Sequence, residues 1–163
     1  MRYVEAGGNL VVMYNRTAFN RAGDAPPVAP SAAATVVDSP FAPYPASVTD
    51  TRITDENAAP EVLRPEDRLL AAPNRIGPAD WRGWVQERGL NFLDARDPRY
   101  VDLVAFTDPF PLNPGRKTGA LVDAQVGKGR WTYVGLGLFR ELPAGVPGAW
   151  RLLANLVARP RGK

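Results

Sequence analysis

The residue types that most often carry out catalysis are missing from this sequence, because its 163 residues include no His and no Cys. A serine nucleophile normally needs a histidine base, so Ser31, Ser39 and Ser47 have no conventional partner. Zinc sites normally use Cys or His ligands. We therefore expect a protein that is not an enzyme, with no cofactor, no catalytic residue and no metal site.

Two pairs of neighbouring carboxylates are the remaining candidates for chemistry. Asp94 with Asp97, or Asp55 with Glu56, would serve as acid and base of a residual hydrolase if the two groups converged within about 5–9 Å. Carboxylates alone would also suit Mg²⁺ or Ca²⁺. Helix caps and turns use Asp and Glu at such positions as well, so both pairs have a purely structural alternative. The hydrolase hypothesis therefore ranks below the two binding hypotheses given below.

Aromatic side chains are the candidates for ligand contact. Trp81, Trp84 and Tyr100, together with Arg88, would line a groove that stacks on sugar rings or on a protein partner. Trp81 and Trp84 also lie at helical spacing, which indicates core or interface packing. Carbohydrate binding requires at least two exposed rings in one concavity, and burial of both tryptophans would remove that hypothesis.

The start of the chain predicts one step of an α/β sheet. A short helix over Arg2–Ala6 ends at Gly7 and Gly8, and Asn9–Tyr14 (NLVVMY) is a continuous apolar run typical of a strand buried on both faces. Such a sheet normally begins with a strand. Either the sheet is small, therefore, or earlier units are absent from this chain.

Residues 24–45 contain six prolines, which excludes a helix or a central strand. A structureless segment of this length is typical of a functional or docking loop, although a surface wrap without function is the alternative. Its candidate docking contacts are Pro26, Pro27, Pro30, Phe41 and Tyr44.

The remaining elements follow from turn and period signals. Pro78–Arg88 is predicted to be a helix that Gly89 closes, and Val101–Phe106 to be a strand. Ala120–Val126 and Arg130–Phe139 flank a three-residue connection and predict a hairpin. Pro147–Arg159 predicts a final amphipathic helix. Residues 52–57 and 61–63 favour short edge strands or turns.

Charge and hydropathy exclude further classes. The net charge is +3, with −2 in residues 1–60 and +5 in residues 61–163. Acids and bases interleave throughout, so we expect no nucleic-acid binding. No stretch approaches the ~18 apolar residues of a membrane span, and residues 1–10 lack the pattern of a signal peptide.

Five strings stand out and occur in this order: Arg52–Ala58 (RITDENA), Asn74–Leu90 (NRIGPADWRGWVQERGL), Asp97–Tyr100 (DPRY), Gly127–Gly129 (GKG) and Leu142–Gly148 (LPAGVPG). Together they resemble the C-terminal region of large bacterial PIG-L (LmbE-like) family deacetylases. The resemblance covers nearly the whole chain and depends most on the second string.

The resemblance implies an α/β fold: a flavodoxin-like, class I glutamine-amidotransferase-like sheet with flanking helices. It would form one N-terminally truncated domain over residues 1–163, with a C-terminal β-hairpin and helix. The two or three βα units that precede the strand at Leu10 in that fold would be missing, which would leave one sheet edge open. The deacetylase zinc motif is built on His and cannot lie here. The amidotransferase thiol would fall near Tyr14 and Asn15, and its His and Glu near Gly135–Glu141, where no thiol and no His occur. The resemblance also implies a periplasmic or extracytoplasmic location.

The leading hypothesis is a non-catalytic accessory or structural domain that binds a protein partner. The partner would cover the open sheet edge, with the Pro-rich loop and the Trp81/Trp84 segment as contacts, and the domain would form a subunit of a larger assembly. The alternative is a carbohydrate-binding module accessory to a sugar de-N-acetylase.

Overall fold

The computed structural model describes residues 1–13, 19, 39–94, 97–109 and 111–158. They form a mixed α/β structure with short helices and several small sheets. The helices are α1 (Arg2–Glu5), α2 (Arg68–Ala71), α3 (Leu138–Glu141) and α4 (Pro147–Ala158), with one 3₁₀ helix over Pro78–Trp81. The strands are β1 (Asn9–Met13), β2 (Ser47–Val48), β3 (Arg52–Ile53), β4 (Glu61–Val62), β5 (Gly89–Leu90), β6 (Leu93–Asp94), β7 (Tyr100–Asp102), β8 (Val104–Asp108), β9 (Gly115–Lys117), β10 (Leu121–Val126) and β11 (Gly129–Val134).

The largest sheet has the strand order β1-β11-β10-β7. Strand β1 runs parallel to β11, with Leu10 opposite Trp131, whereas β10 pairs antiparallel with both β11 and β7. The other sheets are β2-β6, β3-β5 and β4-β8-β9, and all of their pairs are antiparallel. The α/β prediction is confirmed at this coarse level, with sheets that are mostly small and antiparallel.

Each face of the main sheet carries its own apolar cluster. Leu121 and Val134 join the cluster under α2, α4 and the 3₁₀ helix. Alternate residues of the same strands, such as Val122 and Tyr133, join a second cluster that includes Phe19. This alternation is the period-2 pattern of a strand, and it explains why β10 and β11 are buried on both faces.

Several predicted elements are confirmed. The hairpin forms between β10 and β11, but two residues, Gly127 and Lys128, connect the strands instead of the predicted three, and β11 ends at Val134 and not at Phe139. The final helix begins at Pro147 and runs to Ala158 in the described part of the chain. Strand β1 also forms, but its five described residues are half-buried rather than fully buried, because it lies at the edge of the sheet.

The predicted helix over Pro78–Arg88 is wrong beyond its first turn. After Trp81 the chain leaves helical geometry, and Gly83 and Gln86 adopt φ values of +70° and +68°. The N–H of Val85 then donates to the Glu141 carboxylate at 3.0 Å instead of to a carbonyl one turn earlier. Tertiary partners therefore replace the helical hydrogen bonds.

The predicted strand over Val101–Phe106 is two strands in two sheets. Strand β7 pairs with β10, whereas β8 pairs with β4 and β9. Between them, the fully buried Leu103 donates its N–H to the carbonyl of Leu121 at 3.0 Å. The buried Leu103 thus marks the point at which the one predicted strand divides between two sheets.

Candidate functional site

The structure places the predicted aromatic contacts in the core. Trp81 and Trp84 are each 4% exposed, Arg88 is 2% exposed and Tyr100 is 8% exposed. The two indole rings stack with centroids 5.4 Å apart, and Trp81 also meets Phe106 edge-on. This burial corrects the expectation of exposed rings, and the condition set for carbohydrate binding is not met.

The four residues are also not brought together. Trp81, Trp84 and Arg88 lie on one side of the main sheet, whereas Tyr100 belongs to the cluster on the opposite side. Trp84 lies beyond the 3₁₀ helix over Pro78–Trp81, so no helix carries both rings. Only the first turn of the predicted segment forms. Its apolar face is turned inward, as is usual for such a stripe.

Arg88 is the unusual member of this group, since it is a buried cation. Its Nε donates to the carbonyl of Ala58 at 2.8 Å, and its guanidinium carbon lies 5.3 Å from the ring centroid of Trp84. Its Nη1 is buried and has no hydrogen-bond partner among the described residues. Burial lowers the pKa of Arg88 to about 10, against the attraction of the nearby carboxylates Asp55, Glu141 and Glu56.

A pocket of about 530 Å³ opens beside Arg88. Its walls come from the segments around β4, α2 and the 3₁₀ helix, and its apolar lining includes Pro60, Val62, Leu70, Ile76, Pro78 and Trp81. Arg75 and Arg82 also line it and are exposed, whereas none of the described lining residues is Asp or Glu. The pocket is therefore apolar with a cationic character.

Sequence reasoning missed this pocket. Its lining residues come from positions 57 to 88, and their apolar members carry no periodic signal across the loops that join them. The available signal was the spacing of Arg75, Arg82 and Arg88 within the longest string of the resemblance. Three arginines among apolar residues in a sequence indicate a ligand-binding site only when the fold places them around one cavity.

The Pro-rich segment is described only in its last part. Pro26, Pro27 and Pro30 lie outside the described residues. Phe41 is 44% exposed, and its carbonyl accepts the indole N–H of Trp131 at 2.7 Å. The carbonyl of Tyr44 accepts the hydroxyl of Tyr100 at 2.7 Å. Phe41 and Tyr44, the two predicted docking contacts, therefore belong to a segment that is hydrogen-bonded to the main sheet.

The carboxylate pairs have structural partners. Asp97 binds Arg99 through both of its oxygens, and these bonds hold the pKa of Asp97 at about 2. Asp55 accepts the N–H of Asn57 at 2.8 Å in a local turn, and Asp94 lies in β6 opposite Ser47. The described residues include no group of three or more acidic side chains placed to hold a metal ion.

Strand β1 has one free edge in the described structure. The carbonyl of Gly8 accepts the N–H of Arg130 from β11 at 3.0 Å. Because successive residues of a strand direct their backbone groups to opposite sides, Leu10 and Val12 also face β11. The backbone groups of Asn9, Val11 and Met13 then face away, and no second described strand pairs with them.

An apolar stripe on α4 lies beside this edge. The side chain of Asn9 donates to the carbonyl of Leu156 at 2.8 Å, which places the end of α4 at the start of β1. Trp150 is 53% exposed and Val157 is 74% exposed, and with Leu153 they follow the three- and four-residue spacing of one helix face. The Asn9–Leu156 bond links the edge and the helix that carries the stripe, and we call the two together the β1–α4 surface.

Neither a membrane-spanning helix nor a similar known protein accompanies these sites in the described part of the chain. Across the described residues, every helix is too short or too polar to cross a lipid bilayer. Comparison of the chain with protein families, with curated proteins and with solved structures finds no match.

Proposed function

We propose that this chain is a non-catalytic accessory or structural domain that binds a protein partner through the β1–α4 surface. The observation that carries the proposal is the outward row of backbone groups at Asn9, Val11 and Met13, which no described strand pairs. The partner contributes an extended segment that adds a strand to β1 and apolar side chains that pack on α4. This recognition mode is β-strand addition.

The sequence of β1 favours such pairing. Proteins usually protect an edge strand with a charge, a proline or a bulge, and the five residues NLVVM contain no charged residue and no proline. Val11 and Met13 pack against one apolar cluster and Leu10 and Val12 against the other. An added strand would therefore find apolar surface continuing on both sides of the sheet.

The face of α4 supports the same location. Arg151 and Asn155 direct the opposite side of the helix toward the 3₁₀ helix and α2, through bonds to Asp80 and Leu69. Trp150 and Val157 are left on the side away from those elements. Large exposed apolar side chains that adjoin an unpaired strand are typical of a protein–protein contact.

The proposal includes the PIG-L family and the flavodoxin-like form of the fold. The parallel pair β1–β11 beside the β10–β11 hairpin is compatible with a flavodoxin-like, amidotransferase-like sheet as in the C-terminal domains of PIG-L deacetylases. Glu141 stands near the position expected for an amidotransferase glutamate, but its carboxylate accepts the N–H of Val85 and is buried. This supports a domain that binds rather than catalyses, and the extracytoplasmic location follows from the resemblance alone.

Hydrogen exchange tests the proposal at single amides. In the isolated chain, the amides of Asn9, Val11 and Met13 should exchange much faster than those of Leu10 and Val12. In the complex purified from the native host, the outward amides should become protected, and intact mass should show a co-purifying chain. Protection of the outward amides in the isolated monomer would contradict a free edge.

A matched pair of variants separates strand addition from simple packing. Val11→Pro removes one outward N–H, whereas Val11→Thr keeps the N–H and perturbs the same side chain. We expect Val11→Pro to lose the co-purifying chain and Val11→Thr to retain it. Equal retention by both variants, with both folded by circular dichroism, would show that the partner does not pair with β1.

A further inference from the structure

We propose that the pocket beside Arg88 binds a small apolar carboxylate, with the Arg88 guanidinium as the anion-binding group and the apolar walls as the site for the rest of the molecule. This site is separate from the β1–α4 surface and goes beyond the partner-binding function. The ligand class follows from three properties of the pocket: its volume, its charge and the unmet hydrogen-bonding capacity of Arg88.

The volume and lining define the body of the ligand. Small-molecule sites typically measure about 300–1,000 Å³ and have mostly apolar walls with few polar groups. The pocket, at about 530 Å³, lies within this range, and its walls include Leu70, Ile76 and the ring of Trp81. Such walls favour an aliphatic chain or an aromatic ring and offer little to a polar sugar.

The charge of the pocket defines the head group. Arg75, Arg82 and Arg88 line it without any acidic lining residue among those described. Asp55, Glu56 and Glu141 act on Arg88 through space but are not among the lining residues. An anion that enters the pocket therefore meets guanidinium groups and no facing carboxylate.

The unmet hydrogen-bonding capacity of Arg88 favours this lining residue as the anion-binding group of the pocket. A buried guanidinium normally satisfies its donors, because an unpaired buried donor costs about 1–3 kcal/mol or more. Nε of Arg88 has the carbonyl of Ala58 as its acceptor, and the Trp84 ring covers one face of the group. Among the described residues Nη1 has no acceptor, and a carboxylate supplies one in the geometry that arginine favours.

The exposed arginines explain how an anion reaches this buried position. Arg75 and Arg82 are exposed lining residues, whereas Arg88 is 2% exposed. Like charges along a cleft raise the local concentration of the opposite ion and its rate of entry. The arrangement thus leads from an exposed cationic rim to a buried cationic end.

Titration calorimetry with octanoate and with 3-phenylpropionate, each against its neutral amide, tests the proposal on the full chain. We expect each acid to bind at least about tenfold more tightly than its amide, since a charge-assisted bond is worth about 1.5–3 kcal/mol. In nuclear magnetic resonance spectra, the indole N–H of Trp81 should shift on binding. The indole N–H of Trp131, in the cluster on the other side of the main sheet, should not.

Variants assign the effect to Arg88. Arg88→Met keeps an unbranched, flexible side chain and removes the buried guanidinium, and it should bind acid and amide equally. Arg99→Met, the same change at an exposed arginine paired with Asp97, should keep the preference for the acid. Val62→Trp, which fills the pocket from its exposed strand, should abolish binding of both probes.

Three results would overturn the proposal: no binding of either acid at millimolar concentration, equal binding of acid and amide by the unmodified chain, or an unchanged acid preference in folded Arg88→Met. None of them bears on the free edge of β1. Exchange of the β1 amides and retention of a co-purifying chain can each fail while octanoate still binds, so the two proposals are distinguishable.

Discussion

The side-chain amide of Asn155 forms a reciprocal pair of hydrogen bonds with the backbone of Asn74. Asn155 Oδ1 accepts the N–H of Asn74 at 2.8 Å, and Asn155 Nδ2 donates to the carbonyl of Asn74 at 2.7 Å. Nδ2 also donates to the carbonyl of Leu69 at 2.8 Å. Asn155 is fully buried in α4, and its hydrogen bonds hold the loop that carries Arg75 and Ile76 against this helix. Because both loop residues line the pocket, the same bonds position one of its walls.

Asn155→Asp should lower the free energy of unfolding by about 2 kcal/mol. The variant keeps the shape of the side chain but replaces the donor that serves two carbonyls with a second acceptor. Urea denaturation measures the change, and Asn57→Asp, at an exposed position, is the control that should leave the midpoint nearly unchanged. An Asn155→Asp variant as stable as the parent would show that the pairing contributes nothing.

Glu87 is a second buried anchor, and Glu87→Gln should lower the free energy of unfolding by about 1.5 kcal/mol. Its carboxylate is 1% exposed and accepts from Arg52 at 2.6 Å and from Arg140. Because both arginines are partly exposed, water offsets some of the loss. The control is Glu61→Gln, which breaks the exposed pair with Arg116 and should not shift the denaturation midpoint. Equal effects of the two variants would contradict a special role for burial.

Asp108 should make stability depend on pH in the acid range. Burial raises the pKa of its carboxyl, but bonds from the N–H groups of Asp55 and Thr54 and from Asn113 outweigh this and lower the pKa below its ordinary value of 3.8. An acid with a lowered folded-state pKa stabilises the fold above 3.8, and this contribution is lost as the pH falls through the folded-state value.

Denaturation of the parent and of Asp108→Asn at several pH values checks this expectation. The variant should be less stable at pH 7, because its amide offers one acceptor where the carboxylate offered two. The difference between the two proteins should shrink steadily below pH 4. A difference that stays constant from pH 7 to pH 3 would show that the charge on Asp108 does not contribute.

The sequence predicted the elements whose signals are local. The β10–β11 hairpin is marked by its glycine connection, α4 by a regular apolar stripe and β1 by a continuous apolar run. In each case neighbouring residues supply the pattern, and tertiary contacts only reinforce it. An open sheet edge was also expected, although from the resemblance and not from the residues of β1; the described strands leave the outer side of β1 unpaired.

The elements that the sequence did not predict depend on distant partners. The segment after Trp81 has helical spacing, yet Val85 and Arg88 donate their N–H groups to Glu141 and Ile53, far away in the chain. The pocket depends on the same long-range contacts. Burial of Trp81 and Trp84 was open from the pattern alone, because an apolar stripe predicts a covered face without telling what covers it.

Gly148→Ala should destabilise the protein by about 2 kcal/mol, although Gly-to-Ala changes inside helices usually stabilise. A Cβ built at Gly148 would overlap the carbonyl oxygen of Asp80, where the first turn of α4 packs directly against the 3₁₀ helix. Gly77→Ala is the control, since a Cβ there meets no atom within 4 Å and its φ of −127° suits any residue. Thermal and urea unfolding of both variants measure the change in stability.

Gly148→Ala should also weaken octanoate binding, because Asp80 immediately precedes the pocket residue Trp81. A Gly148→Ala variant that is more stable than the parent and binds octanoate equally well would show that the two helices can separate without cost.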